Sequence, residues 1–200
     1  MYNKLNSLNT DSVIWDNFRR GEKSALEEIY FQNVQFLFRY GKKFNADDDL
    51  LKDTIHDLFI DLIQNRKTLG PTDNVKFYLM RSFRRRLVLN IKKNRNDRNE
   101  NLHEFIPEII YSAEEQLIKM ESRSEQHSRM RQCLSELNPR QREILYYRFE
   151  CGFSYDQICE IMSIKYDSAR KLVFRSIECL RQMFVEKHTI QFFLSFIKKD

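Results

Sequence analysis

Glycine and proline are scarce, four and three in 200 residues. Strand-rich proteins turn often and draw on both residues to do so, which argues against an all-β or mixed fold. Cys133, Cys151, Cys159 and Cys179 show no CxxC spacing, and His56, His103, His127 and His188 are scattered, so no metal site is expected. The chain does not open on the charged-then-apolar pattern of a secretory signal. Its most apolar stretch, Ile190 to Ile197, is far too short to cross a bilayer, so no membrane insertion is expected. P-loop, HExxH and nucleophile-elbow motifs are missing. With three of the cysteines among apolar residues of predicted helices, buried reduced thiols, a reducing compartment and a cytoplasmic location are expected, and no cofactor.

Leu, Ile, Lys, Arg and Glu recur, and aliphatic and aromatic residues make up 42%. This composition predicts an all-α fold. The formal charge of +5 is compatible with nucleic acid, but its distribution says more. Asp47 to Asp61 holds six Asp against one Lys, and Arg81 to Arg98 holds eight Lys or Arg against one Asp. Glu100 to Glu125 holds seven Glu against Lys119 and Arg123. Three patches of distinct sign suggest three different contacts; solvated helix faces are the plainer reading.

Two small helical domains joined by a linker are expected: 11–95, a polar acidic tether over 96–125, 126–184, and a C-terminal extension over 185–200. In the first, Ser24 and Glu27 form a candidate capping box opening a long helix with Ala25, Ile29, Phe36, Leu37 and Tyr40 at helical spacing. Asp47 to Asp49 favour the start of a second helix, with Leu51, Ile55, Leu58, Phe59 and Leu62 as its apolar stripe. A loop around Gly70 and Pro71 precedes a third helix from about Val75, with Leu79, Phe83, Leu87 and Ile91 on one side. The tether has room for a short helix, Ser112 to Met120. In the extension, Ile190, Phe193, Leu194 and Ile197 form an apolar stripe suited to packing back on the preceding domain.

Punctuation is densest after residue 126. Asn138, Pro139 and Gln141 supply a cap, a first-position proline and a capping-box partner. Gly152 can take a left-handed cap, and Ser154 with Gln157 forms a second capping box. A short helix, Tyr155 to Met162, buries Ile158 and Ile161. A turn over Ser163 to Lys165 leads to a longer helix with Ala169, Leu172, Val173, Ile177 and Leu180 inward. Lys165, Tyr166, Ser168, Arg170, Lys171, Phe174 and Arg175 face outward. This is the pattern of a DNA-binding helix-turn-helix, whose second helix enters the major groove. Arginine can bind guanine bidentately while other cations hold phosphates. A basic helical hairpin within a bundle satisfies the same spacing.

LNPRQREILYYRFECGFSYDQICEIM (137–162) followed by SARKLVFRSIECLR (168–181) closely resembles the C-terminal domain of bacterial sigma factors. The resemblance implies binding of the promoter's minus-35 element by the seven outward residues just named. The family often has alanine where Cys159 stands and glycine where Ser163 stands. DLLKDTIHDLFIDLI (49–63) resembles the family's main core-polymerase-binding helix, with His56 in place of a common glutamine. The residues implied are Asp49, Asp53, His56, Asp57, Phe59 and Asp61, and their acidic stripe suits a basic coiled coil on the polymerase.

VKFYLMRSFRRRLVLNIKKNR (75–95) resembles the segment that reads the minus-10 element and melts the promoter. Arg81, Arg84, Arg85, Lys92, Lys93 and Arg95 are offered to phosphates, and Arg66 and Lys67 are further DNA-binding residues expected there. Phe77 and Tyr78 could stack on exposed bases, whereas the spacing of Phe83 suits the core. The loop from Arg66 to Asn74 corresponds to the family's cradle for a flipped base. The acidic tether would thread channels otherwise occupied by RNA. The whole resembles a small sigma factor of the extracytoplasmic-function type: not an enzyme, with core RNA polymerase and promoter DNA as partners and room for an inhibitory anti-sigma factor.

Two other functions compete. A helix-turn-helix regulator acting without polymerase would explain the C-terminal domain but leave the acidic and basic helices of the first without roles. A metal-dependent nuclease using Asp47, Asp48 and Asp49 is disfavoured, because three adjacent helix-start residues point in different directions.

Overall fold

The computed structural model of the protein describes residues 2–44, 46–97 and 132–183, and these contain helices and no strand. The chain divides into two compact units, Met1–Phe105 and Ile106–Asp200. The expected helix from Ser112 to Met120 and the extension beyond Val185 lie outside the described residues, as does most of the acidic tether.

Among the described residues the first unit has four helices: α1 (Tyr2–Arg20), α2 (Lys23–Lys42), α3 (Asp48–Asn65) and α4 (Val75–Asp97). α1 begins well before the expected domain start at Asp11. It ends where Gly21 takes φ +98°. The N–H groups of Gly21 and Glu22 donate to the carbonyls of Phe18 and Asn17 at 2.9 and 3.1 Å, which satisfies two carbonyls at the helix end. This turn sends the chain straight into α2, whose N-cap is Glu22 without a side-chain cap bond. The expected Ser24–Glu27 capping box is therefore not the helix start; Ser24 already lies inside the first turn.

Asp47 caps α3 through the Asp49 N–H, and Lys42 reaches Asp48 at 2.6 Å across the α2–α3 junction. That hydrogen bond from Lys42 holds the Asp48 carboxyl below the ordinary carboxylate range. The core contains Trp15, Phe18, Ile29, Leu37, Tyr40, Leu51, Leu58, Leu79, Phe83 and Leu87. Each such side chain contributes about 1.5–3 kcal/mol on full burial. Gly41 permits the tightest approach, since a Cβ there would stand 2.5 Å from a methyl of Leu51. Polar groups also join α3 to α4: the Asn90 amide donates to Thr54 Oγ1 at 3.0 Å, and Arg86 pairs with Asp61.

The second unit begins, among the described residues, with a helical turn at 132–136. There follow α5 (Pro139–Leu145), continued as a π turn through Tyr146–Glu150, then α6 (Tyr155–Met162) and α7 (Tyr166–Met183). Both expected capping boxes form: Asn138 with Gln141, and Ser154 with Gln157. Leu137, Leu145 and Leu180 form a small core, flanked by Cys133, Phe149, Ile177 and Cys179. The buried Glu143 accepts from the Tyr147 hydroxyl at 2.9 Å. All four cysteines are free thiols, half-buried where buried thiols were expected. Burial nevertheless pushes the Cys133 and Cys159 thiols up, which keeps them protonated.

Candidate nucleic-acid and polymerase interfaces

The geometry of α6 and α7 depends on one residue. Ser163 takes φ 54° and ψ 48°, the left-handed conformation that glycine adopts most easily. The Ile164 N–H then donates back to the Cys159 carbonyl at 3.2 Å and closes the end of α6. Serine has thus been accommodated without loss of the turn. Beyond it, Ala169, Val173, Ser176 and Leu180 are buried against the unit. Ser176 sits inward because its hydroxyl donates to the Leu172 carbonyl at 2.7 Å.

Lys165, Tyr166, Ser168, Arg170, Lys171, Phe174 and Arg175 are all exposed. Phe174 is 69% exposed, which is unusual for a large aromatic, and Arg170 and Lys171 lie one turn before it on the helix. Tyr166 leans on Tyr155 with ring centroids 5.7 Å apart, and Tyr155 in turn carries the Arg148 guanidinium over its face at 4.8 Å. Asp167 also lies exposed in the first turn, four residues before Lys171. It is not among the outward residues expected from the sequence, all of which are cationic, aromatic or hydroxyl-bearing. A helix of 18 residues is about 27 Å long, and its first two turns can follow the major groove.

On α3, Asp49, Asp53, His56 and Asp57 are exposed. Asp49 is bridged to Lys52 at 3.1 Å. Asp61 is half-buried and held by Arg86 of α4, so it is tied into the unit. Phe59 is not on this face: it is 6% exposed and packs edge-to-face on Tyr30 of α2 at 5.0 Å. Two residues beyond Asp57, it has rotated about 200° around the helix, onto the flank that meets α2. Sequence reading missed an apolar component. Ile60 and Ile63 are 36% and 39% exposed, at the i+4 and i+7 positions from His56. Phe31 stands against Tyr30 with centroids 5.5 Å apart and is 73% exposed. The unit thus exposes large apolar side chains on α2 and α3 besides the acidic ones, a composition suited to a protein partner rather than to water.

On α4, Arg81, Arg85, Lys92 and Lys93 are exposed and Arg84 is half-exposed. Arg95 lies on the same helix, but its side chain is outside the described residues. Phe83 is fully buried, as its spacing predicts. Phe77 is half-buried, and Tyr78 packs its ring on Trp15 at 4.8 Å. Burial pushes the Tyr78 phenol up, so it stays neutral. In the loop before α4, Lys67 is exposed, and Arg66 is half-buried with Nη1 donating to the Ile63 carbonyl at 3.4 Å. Asp47, Asp48 and Asp49 have separate partners, and no cluster of His, Cys, Asp or Glu fit for a metal occurs among the described residues.

The model of the family "Sigma-70, region 4" matches residues 127–180, the stretch that contains the helix-turn-helix. Residues 127–180 are thus a sigma-70 region 4 domain, and the function of the chain is that of a sigma factor, directing transcription initiation. Sigma-70 factors are in general not enzymes. No curated protein sequence matches the chain. Among solved structures it is similar to CnrH in complex with the cytosolic domain of CnrY: 13% identity, TM-score 0.57, covering 86% of this chain and 96% of that one. It is also similar to the sigma factor RpoE of Bartonella quintana in complex with the anti-sigma factor NepR. That match has 17% identity and TM-score 0.57, covering 80% of this chain and 98% of that one. At these identities the two matches speak for a shared fold. Among the described residues, no helix is long and apolar enough to cross a membrane.

Proposed function

We propose that the chain is a sigma factor of the extracytoplasmic-function type that works in three parts. The exposed face of α3, with Asp49, Asp53, His56 and Asp57, docks on core RNA polymerase, and Ile60, Ile63, Tyr30 and Phe31 add apolar contact. The loop 66–74 and the basic side of α4 engage the minus-10 element and hold separated strands, with Arg81, Arg84, Arg85, Lys92, Lys93 and Arg95 on phosphates. The outer face of α7 reads the minus-35 element. Phe59 contributes by supporting the first surface from beneath, and Asp61 by fixing α3 to α4. The 11–95 segment thus serves polymerase and the minus-10 element, 126–184 serves the minus-35 element, and 96–125 links them.

The observation that carries this reading is the presence in one chain of a region 4 helix-turn-helix and a separate helical unit with an acidic helix beside a basic one. A free-standing regulator needs the helix-turn-helix alone. The sigma factor would catalyse nothing itself, would need no cofactor, and would act in the cytoplasm where polymerase is. CnrH and RpoE were solved with the cytosolic domain of CnrY and with NepR, and their likeness in fold supports an anti-sigma partner for this chain. Size-exclusion chromatography of the full chain mixed with core polymerase tests the reading. Co-elution at one-to-one stoichiometry is expected, and separate elution at micromolar concentrations would reject it in favour of the free-standing regulator.

A further inference from the structure

We infer that α1, which holds none of the residues given a polymerase or DNA role, is the positioning element for the loop 66–74, with Asp11 and Trp15 as its positioning residues. The inference rests on the reading of that loop as the segment that captures a base. Trp15 is fully buried, yet its indole N–H is directed at the loop: Nε1 donates to the Gly70 carbonyl at 2.8 Å, across 55 positions of sequence. Nothing stands within 4 Å of where a Cβ on Gly70 would be, so the loop is open on that side and the indole bond anchors its midpoint.

The far end of the loop is held from α1 as well. Asp11 Oδ2 accepts from the N–H of Val75, the first residue of α4, at 3.1 Å. Asn74 caps the same helix by accepting from the Phe77 N–H at 2.8 Å, and its own N–H donates to Thr72 Oγ1 at 3.2 Å. At the near end, the Arg66 guanidinium lies 3.5 Å from where a Cβ on Gly21 would be, over the turn that closes α1. The Trp15 ring also supports Tyr78, on the first turns of α4. α1 and its closing turn therefore meet the loop at its beginning, middle and end.

A loop that binds one extruded base must be ordered beforehand, or base binding has to supply the ordering entropy. Packing alone would fill the core with an aromatic ring of any kind. The indole N–H and the Asp11 carboxylate do something packing does not: they fix loop backbone groups. Burial holds the Asp11 carboxyl above the ordinary range, while the bond from Val75 opposes that shift.

The test uses holoenzyme assembled from the full chain and single-stranded oligonucleotides of the minus-10 element, with each base changed in turn. Wild type is expected to discriminate strongly at one position. Replacing Trp15 by its benzothienyl isostere keeps the shape and removes the N–H; Asp11→Ala removes the other tether. Each should lower discrimination at that one position about fivefold, the loss expected for one hydrogen bond. Assembly with core and affinity for minus-35 duplex should stay at wild-type values. Asp11→Asn, which keeps an acceptor oxygen, should restore discrimination, and amide exchange over 66–74 should quicken in the two impaired variants. Wild-type discrimination in both impaired variants would overturn the inference. So would an equal loss for every oligonucleotide and for duplex, which would make α1 a mere part of the core. A wild-type holoenzyme without preference at any position would overturn the reading of the loop, and the inference with it, before any variant is made.

Discussion

Reversing Asp53 and Asp57 to lysine should separate polymerase binding from folding. Both carboxylates are exposed on α3, outside the buried face of the helix. Lysine is a somewhat better helix former than aspartate, so the double variant should unfold within about 0.5 kcal/mol of wild type. Against a basic partner the outcome differs. Two unit charges about 4 Å apart in water attract by roughly 1 kcal/mol, and reversal turns attraction into repulsion of equal size. Two reversals thus change contact energy by about 4 kcal/mol. Salt screening and rearrangement of long side chains should halve this, leaving about a 30-fold rise in Kd for core. The assay is anisotropy of a dye-labelled chain titrated with core at two salt concentrations, beside thermal unfolding of each variant. Asp61→Lys is the contrasting control: it breaks the pair with Arg86 and sets two cations together, so it should lower stability as well. A double variant with wild-type Kd at both salt concentrations would refute the assignment of this face to polymerase.

Arg170→Ala should cost roughly 1–3 kcal/mol of promoter affinity and relax preference at one or two minus-35 positions in a promoter-library selection. Arg175→Ala, further along α7, should weaken all sequences alike and lower the salt slope by about one unit. Neutralising Arg84, Arg85 and Lys92 together should leave holoenzyme assembly intact and reduce permanganate-reactive thymines at a cognate promoter; normal melting on a linear template would make α4 a structural helix only. Ser163→Gly should raise unfolding stability by roughly 1 kcal/mol, the relief of a left-handed conformation, with unchanged minus-35 preference.

Elements marked by capping chemistry were the most legible in the sequence. Asn138 with Gln141 and Ser154 with Gln157 reproduce their expected boxes, and the inward and outward faces of α7 follow from 3.6-residue spacing. The same logic failed at Ser24 because a tertiary feature, the Gly21 turn, starts α2 earlier than the local signal does. α1 went unread because its core contributions, Ile14, Trp15 and Phe18, are few and closely spaced, without a long apolar stripe. Phe59 was placed on the acidic face by analogy of motif, whereas its rotation about α3 turns it toward Tyr30. The exposure of Tyr30, Phe31, Ile60 and Ile63 could not be read at all, since a sequence does not reveal which apolar residues are left uncovered.

Run-off transcription on genomic promoter fragments, with core alone, the chain alone and both together, tests the central claim most directly. The account predicts discrete transcripts only when both are present, from start sites that share an upstream and a downstream element. Transcripts from core that are unaffected by the chain, with the chain alone protecting the same DNA at the same affinity, would contradict it.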